Sequence, residues 1–124
     1  MNYTKSGLWI EKLESSYRLG LSEKGQDDVG EVMFVELPDF NADIKAGDNL
    51  IGVEGAKAVT EITAPFNGTV VNVHKALEDD TALLNSTDRA DNWIIELTNV
   101  SGMDDIELFD DAWAGMEPPA KDEA

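Results

Sequence analysis

Apolar residues come in runs of about five, broken by turn-forming residues, which is the spacing of short antiparallel strands. Ile10, Leu13, Tyr17, Leu19 and Leu21 alternate loosely with polar neighbours after Trp9, predicting a pair of strands closed around Glu14-Ser15-Ser16. Val32, Phe34 and Val35, with Leu37, predict another strand, stopped by Pro38, which has no N–H to donate to a ladder. Asp39 to Lys45 reads as a connecting loop. Ala46-Gly47-Asp48 then turns the chain into a strand from Asn49 to Val53, and Thr60 to Ala64 forms its return. Pro65-Phe66-Asn67-Gly68 reads as a turn, Thr69 to His74 as an alternating strand and Trp93 to Leu97 as the last one.

Helical signals are brief. Ser22 to Asp28 predicts a short helix with Ser22 as its cap, although Gly25 lowers its propensity, and Asp80 to Leu84 predicts a second with Asp80 as cap. Ile106, Phe109 and Trp113 recur at spacings of three and four, predicting a C-terminal helix that lays this stripe on the sheets, with Asp104 and Asp105 at its N-terminus. The expected fold is therefore mostly β: a two-sheet antiparallel sandwich with short helices and a C-terminal helix. Residues 1–115 are expected to form one domain, and the polar, proline-containing residues 116–124 a disordered acidic tail.

Composition narrows the chemistry. The 124 residues contain no cysteine and a single histidine, His74, which removes disulfides, a thiol nucleophile and thiolate metal sites. Carboxylates adjacent in sequence, such as Asp79-Asp80 and Asp110-Asp111, read as solvated surface charge rather than acid–base pairs, so an enzyme acting alone is the weakest reading. With 26 acidic against 9 basic residues the net charge is −17, which argues against nucleic acid or an anionic membrane as partner and favours proteins with basic surfaces. The N-terminus lacks a secretory pattern and no segment has the run of about 20 apolar residues a membrane span needs, so a cytoplasmic location is expected.

Val53-Glu54-Gly55-Ala56-Lys57-Ala58-Val59 is the stretch with chemical content, because it presents one lysine at a turn between two apolar runs. Small neighbours clear the space around its amine, which points to a covalent attachment point.

These residues also resemble a known pattern. A carboxylate three positions before the lysine, an alanine after it and a glycine eleven positions later, Gly68, look like a lipoyl-attachment site. Val29-Gly30-Glu31-Val32-Met33-Phe34-Val35-Glu36-Leu37-Pro38, Ala76-Leu77-Glu78-Asp79-Asp80, Leu84-Asn85-Ser86 and Trp93-Ile94-Ile95 together resemble the glycine cleavage system H protein family, over most of the chain from Trp9 to Trp113. The resemblance implies a lipoyl/biotinyl-carrier-like barrel-sandwich with an approximate twofold, weakly echoed by turns at Gly47 and Gly68. It implies lipoic acid joined covalently to Lys57, with Glu54 read by a lipoate ligase or lipoyltransferase. It implies a swinging arm that serves the glycine cleavage enzymes. Gly68 is expected to serve turn geometry at positive φ. Lipoyl-bearing folds often have glycine sixteen positions before the lysine; here that position is Asn41, which also tolerates the left-handed region.

Two departures bear on the pathway. Glycine cleavage H proteins use a glutamate just before the early tryptophan and a histidine in the short helix to shelter the loaded arm, and those positions are Leu8 and Asp28 here. The pattern is similar to H-like carriers outside glycine cleavage that belong to a redox-linked system with a macrodomain protein and a sirtuin-type ADP-ribosyltransferase. Asp27 and Asp28 would then be candidate modification sites. A biotin carrier would share the fold, but methionine commonly flanks a biotinylated lysine, and Ala56 and Ala58 stand there instead. The remaining alternative is an unmodified acidic interaction domain.

Overall fold

In the computed structural model, which describes residues 1–118, antiparallel strands form two sheets. The strands are β1 (Asn2–Tyr3), β2 (Leu8–Lys12), β3 (Tyr17–Leu21), β4 (Val32–Glu36), β5 (Asp43–Ile44), β6 (Asn49–Gly55), β7 (Val59–Thr63), β8 (Asn67–Val73) and β9 (Trp93–Ser101). The larger sheet has six strands in the order β1-β2-β3-β9-β8-β5, and the smaller has three in the order β4-β6-β7. Helix α1 (Glu23–Val29) links β3 in the first sheet to β4 in the second, while α2 (Ala76–Asp79) and α3 (Arg89–Asn92) lie between β8 and β9. Among the described residues no helix is long and apolar enough to cross a membrane.

The mostly β, two-sheet architecture agrees with the sequence expectation, and the core lies between the sheets. Leu19, Leu21, Val70, Ile95 and Leu97 come from the large sheet, Val35, Ile51, Val53 and Ile62 from the small one, and Phe66, Leu77 and Leu84 from the connections. Polar groups caught in this interior are paired. The Leu8 N–H donates to Thr4 Oγ1 at 3.1 Å, Ser22 Oγ caps α1 by accepting from the Gly25 N–H at 3.3 Å, and Trp9 Nε1 donates to Asn92 Oδ1 at 2.8 Å. Burial without a partner would cost more than the exchange with water returns, so these bonds make the buried positions tolerable. Asn41 sits at φ 67°, the left-handed conformation that an asparagine can adopt where a glycine is more usual.

The C-terminal helix expected from Ile106, Phe109 and Trp113 does not form. Met103–Asp105 make a single 3-10 turn, and Phe109 instead bridges the edge strand β1, exchanging both main-chain bonds with Tyr3 at 2.9 Å. A helix needs those same groups for its own ladder, and Asp111 bonds locally to the backbone, its Oδ1 accepting from the Trp113 N–H at 3.1 Å. Of the expected tail, only 116–118 fall within the described residues, and the remainder lies outside them.

Smaller differences have equally local causes. Thr81–Asn85 is a 3-10 turn for which the Asp80 side chain makes no capping bond. Gly68 is not at positive φ; it lies inside β8, where a Cβ would come within 3.1 Å of Leu97 Cβ and 3.2 Å of the Thr98 carbonyl, so a side chain here would crowd β9. Gly47, its partner in the sequence echo, is a turn residue at φ 89°, so the two glycines do different work.

Leu8 is wholly buried within the sandwich core. Leu8→Glu therefore places an unpaired carboxylate in an apolar interior, and urea unfolding should show a loss of about 3 kcal/mol or more, at least matching the ~2–5 kcal/mol expected for Leu8→Ala. A glutamate variant as stable as the parent would show that this position is open to water.

Candidate functional site

The turn Ala56–Ala58 joins β6 to β7, and its position is set by main-chain bonds to the joint between α1 and β4. The Ala56 N–H donates to the Glu31 carbonyl at 2.8 Å, the Lys57 N–H to the Val29 carbonyl at 3.0 Å, and the Gly55 N–H closes the turn on the Ala58 carbonyl at 2.9 Å. Such an approach of two backbones needs a missing side chain. A Cβ on Gly55 would collide with the Val29 carbonyl oxygen, and one on Gly30, which is at φ 72°, would come within 2.9 Å of Lys57 Cγ.

The joint itself is braced by bonds to a segment that lies far off in sequence, residues 84–86. Asn85 Oδ1 accepts from the Val32 N–H at 2.8 Å while its Nδ2 donates to the Gly30 carbonyl at 2.8 Å, so one amide grips both sides of the bend. Gln26 Nε2 donates to the Leu84 and Ser86 carbonyls at 2.8 and 2.7 Å, tying α1 to the same segment. Neither brace was identified as a functional residue from sequence. Asn85 had a signal, since it stands in one of the flanking motifs, but the Val29 and Glu31 carbonyls carry none.

Lys57 stands on this seat with its side chain 60% exposed. The stem crosses Gly30, and Nζ donates to the Asp27 carbonyl at 3.1 Å and to Asp27 Oδ1 at 3.5 Å. Together with its N–H, the lysine therefore satisfies two of the carbonyls that the last turn of α1 leaves without helical partners. An exposed ion pair of this kind contributes only about 0–1 kcal/mol, so the side chain is parked rather than locked.

The other sequence candidates separate. Asp27 lies beside the lysine, whereas Asp28 is held by Lys24 Nζ at 2.7 Å, one helical turn back. Glu54 is exposed on the outer face of the small sheet, in register with Phe34 on one side and Val59 on the other. Leu8 belongs to the core and not to the surface around the lysine.

The family model described as "Glycine cleavage H-protein" matches residues 1–114. The chain belongs to this family. Among its relatives, the glycine cleavage system H protein of Listeria innocua is 35% identical, with 93% of this chain and 94% of that protein covered. Those of Salmonella arizonae and Shewanella loihica are 36% and 38% identical, covering 92% and 86% of this chain and 88% and 84% of theirs. The crystal structure of a glycine cleavage system H protein from Mycobacterium marinum superposes with a TM-score of 0.74 at 26% identity, covering 86% of this chain and 87% of that one. Members of the glycine cleavage H-protein family are carrier subunits, not catalysts, and hold lipoic acid covalently on a lysine.

In this family member the seat predicts its own test. Gly55→Ala should destabilise the fold by about 1–3 kcal/mol and speed hydrogen exchange at the Ala56 and Lys57 amides on the order of tenfold or more. Lys57→Ala should leave the amide at position 57 protected, because the bond to Val29 is made by the main chain. Unchanged protection in Gly55→Ala would mean that the tip is held by something other than this contact.

Proposed function

We propose that the chain is a cytoplasmic lipoyl carrier of the glycine cleavage type, with Lys57 as the attachment lysine. One observation supports this above the others: a largely exposed lysine at the tip of a hairpin whose backbone is fastened on a second element. The residues present fit the group. Ala56 and Ala58 offer no bulk beside the amine, Gly30 leaves a smooth bed for the stem, and the contacts at Asp27 are weak enough to release Nζ to an acylating enzyme.

The chain's own contribution is positional. Acylation removes the charge of a lysine, and the ligase or transferase that performs it must find the nitrogen at a fixed place. The hairpin ladder and the bonds to Val29 and Glu31 provide that place, and Glu54, on the same strand and exposed, is offered as a charge for the enzyme to read. When bound, lipoic acid supplies a disulfide that can be reduced and can take up a group. The stem of Lys57 then swings about a fixed root, so that transfer between the glycine cleavage enzymes takes place at high local concentration.

The chain expressed in a lipoylating host should show one lipoyl adduct by intact mass, mapped to Lys57 and absent in Lys57→Arg. An unmodified parent chain would sink the proposal and leave the acidic interaction domain in its place; capture by streptavidin would make it a biotin carrier.

A second reading keeps the carrier and changes the pathway. Asp27 places a carboxylate 3.5 Å from Lys57 Nζ, where an H-like carrier of the redox-linked system would accept ADP-ribose from a sirtuin-type transferase paired with a macrodomain protein. Asp28, already paired with Lys24, is the weaker acceptor. Lipoylated chain incubated with such a transferase and NAD should gain ADP-ribose on Asp27 under this reading; mass spectra with no carboxylate modified would remove it.

A further inference from the structure

A cavity of about 360 Å³ opens where the start of α1, strand β1 and helix α3 meet, and Lys57 is not in its walls. Its size is at the small end of ligand clefts, which run to roughly 300–1,000 Å³, but its lining is mostly polar where theirs is mostly apolar. Part of that lining is already committed. Trp9 Nε1 donates to Asn92 Oδ1 at 2.8 Å, Asn92 Nδ2 to the Ser86 carbonyl at 2.8 Å, and Ser22 Oγ accepts from the Gly25 N–H at 3.3 Å. Asp88 is occupied as the cap of α3, its Oδ1 accepting from the Ala90 N–H at 2.9 Å.

The uncommitted groups sort by polarity. On the α1 wall stands the Glu23 carboxylate, which makes no ion pair or hydrogen bond among the described residues. Beside it is Gln26, whose Nε2 is held by the Leu84 and Ser86 carbonyls, so that Oε1 is the end of the amide left to accept. The wall formed by α3 and β1 donates instead. Arg89 Nη2 donates to Tyr3 Oη at 3.2 Å, which leaves Tyr3 its own proton to give and Arg89 with a neutral partner, in a chain of 26 acidic against 9 basic residues. Thr87, whose hydroxyl donates or accepts, suits either wall.

We infer that this cavity binds a small α-amino acid as its zwitterion, the carboxylate on Arg89 and the Tyr3 hydroxyl and the ammonium on Glu23 and Gln26 Oε1. Charge selects the ligand. A bare anion would enter the field of a chain with net charge −17 and lie beside Glu23 and Asp88, while a bare cation would meet Arg89. A zwitterion has no net charge and offers each wall its complement, with charge-assisted bonds at both ends. The site is separate from the lysine: Lys57 touches the last turn of α1, and only Gln26, through its hold on residues 84–86, serves both places. The inference is therefore independent of the carrier reading.

The test follows backbone amide shifts of the full chain, without adduct and labelled with nitrogen-15, during titration with glycine, L-alanine and L-serine at neutral pH. At least one should give saturable shifts within residues 22–26 and 87–92, with a Kd of about 1–10 mM. Arg89→Gln and Glu23→Gln, both at exposed positions, should each weaken binding about tenfold. Lys45→Gln and Glu14→Gln make the same charge changes at exposed residues outside the cavity and should leave Kd unchanged, as should Lys57→Arg. Acetate and methylammonium, which carry one pole each, should bind about tenfold more weakly or worse. No saturable shift up to about 100 mM of any of the three amino acids overturns the inference. So does binding of acetate or methylammonium as tight as theirs, or parental affinity in the Arg89 and Glu23 variants. A chain that never acquires a lipoyl group is a different result, because it removes the carrier reading and leaves this binding as it is.

Discussion

Two main-chain hydrogen bonds, from Ala56 to Glu31 and from Lys57 to Val29, hold the rest of the arrangement in relation. A hairpin tip is ordinarily among the least constrained parts of a sheet, since its ladder ends behind it and water surrounds it in front. Here the tip closes on the joint between α1 and β4. It thereby satisfies carbonyls that a helix end leaves open, and helix and hairpin stabilise each other. Because α1 leaves β3 and enters β4, the same contact ties the large sheet to the small one at the end where the lysine stands.

What surrounds that contact serves it in turn. Gly55 and Gly30 let the backbones meet, Asn85 grips both sides of the joint, and Gln26 secures the helix to the segment that carries Asn85. The core supplies the stiffness behind the tip, with Val53 on β6 and Ile62 on β7 both buried under the hairpin. Electrostatics works on a different scale. A net charge of −17 biases encounters toward basic surfaces, while the local pairing of Lys57 with Asp27 is too exposed to lock the side chain in place.

Much of this was legible from the residues, and the exceptions are instructive. Alternating apolar positions located the longer strands because a two-sided sheet must bury every second side chain, whereas the two-residue strands β1 and β5, the latter within the stretch Asp39 to Lys45 read as a loop, are too short to show a period. The Ser22 cap announced α1, and Asn41 was readable as a glycine substitute because few other residues accept its backbone angles. The Asp88 cap of α3, which accepts from the Ala90 N–H at 2.9 Å, had the same kind of signal and went unread. The stripe Ile106, Phe109 and Trp113 misled, because periodicity records which side chains meet apolar surface and not whether the backbone's partners lie within a helix or on the edge of β1. Gly68 misled in a related way: its need for space comes from β9, a neighbour about thirty residues away. Lys57 stood out through its setting and its family likeness, and the structure places it at an exposed turn, while the carbonyls that seat that turn have no side-chain signature at all.

The tip is fixed by peptide groups, and that separates where the lysine sits from which residues flank it. Substitutions at Ala56 or Ala58 leave the N–H and C=O groups of the turn in place, so those positions are free to vary without the scaffold having to change. Gly55 and Gly30 have no such latitude. On the attachment at Lys57 proposed above, the identity of the modifying enzyme would be written over evolutionary time in the alanines and the permanence of the address in the glycines.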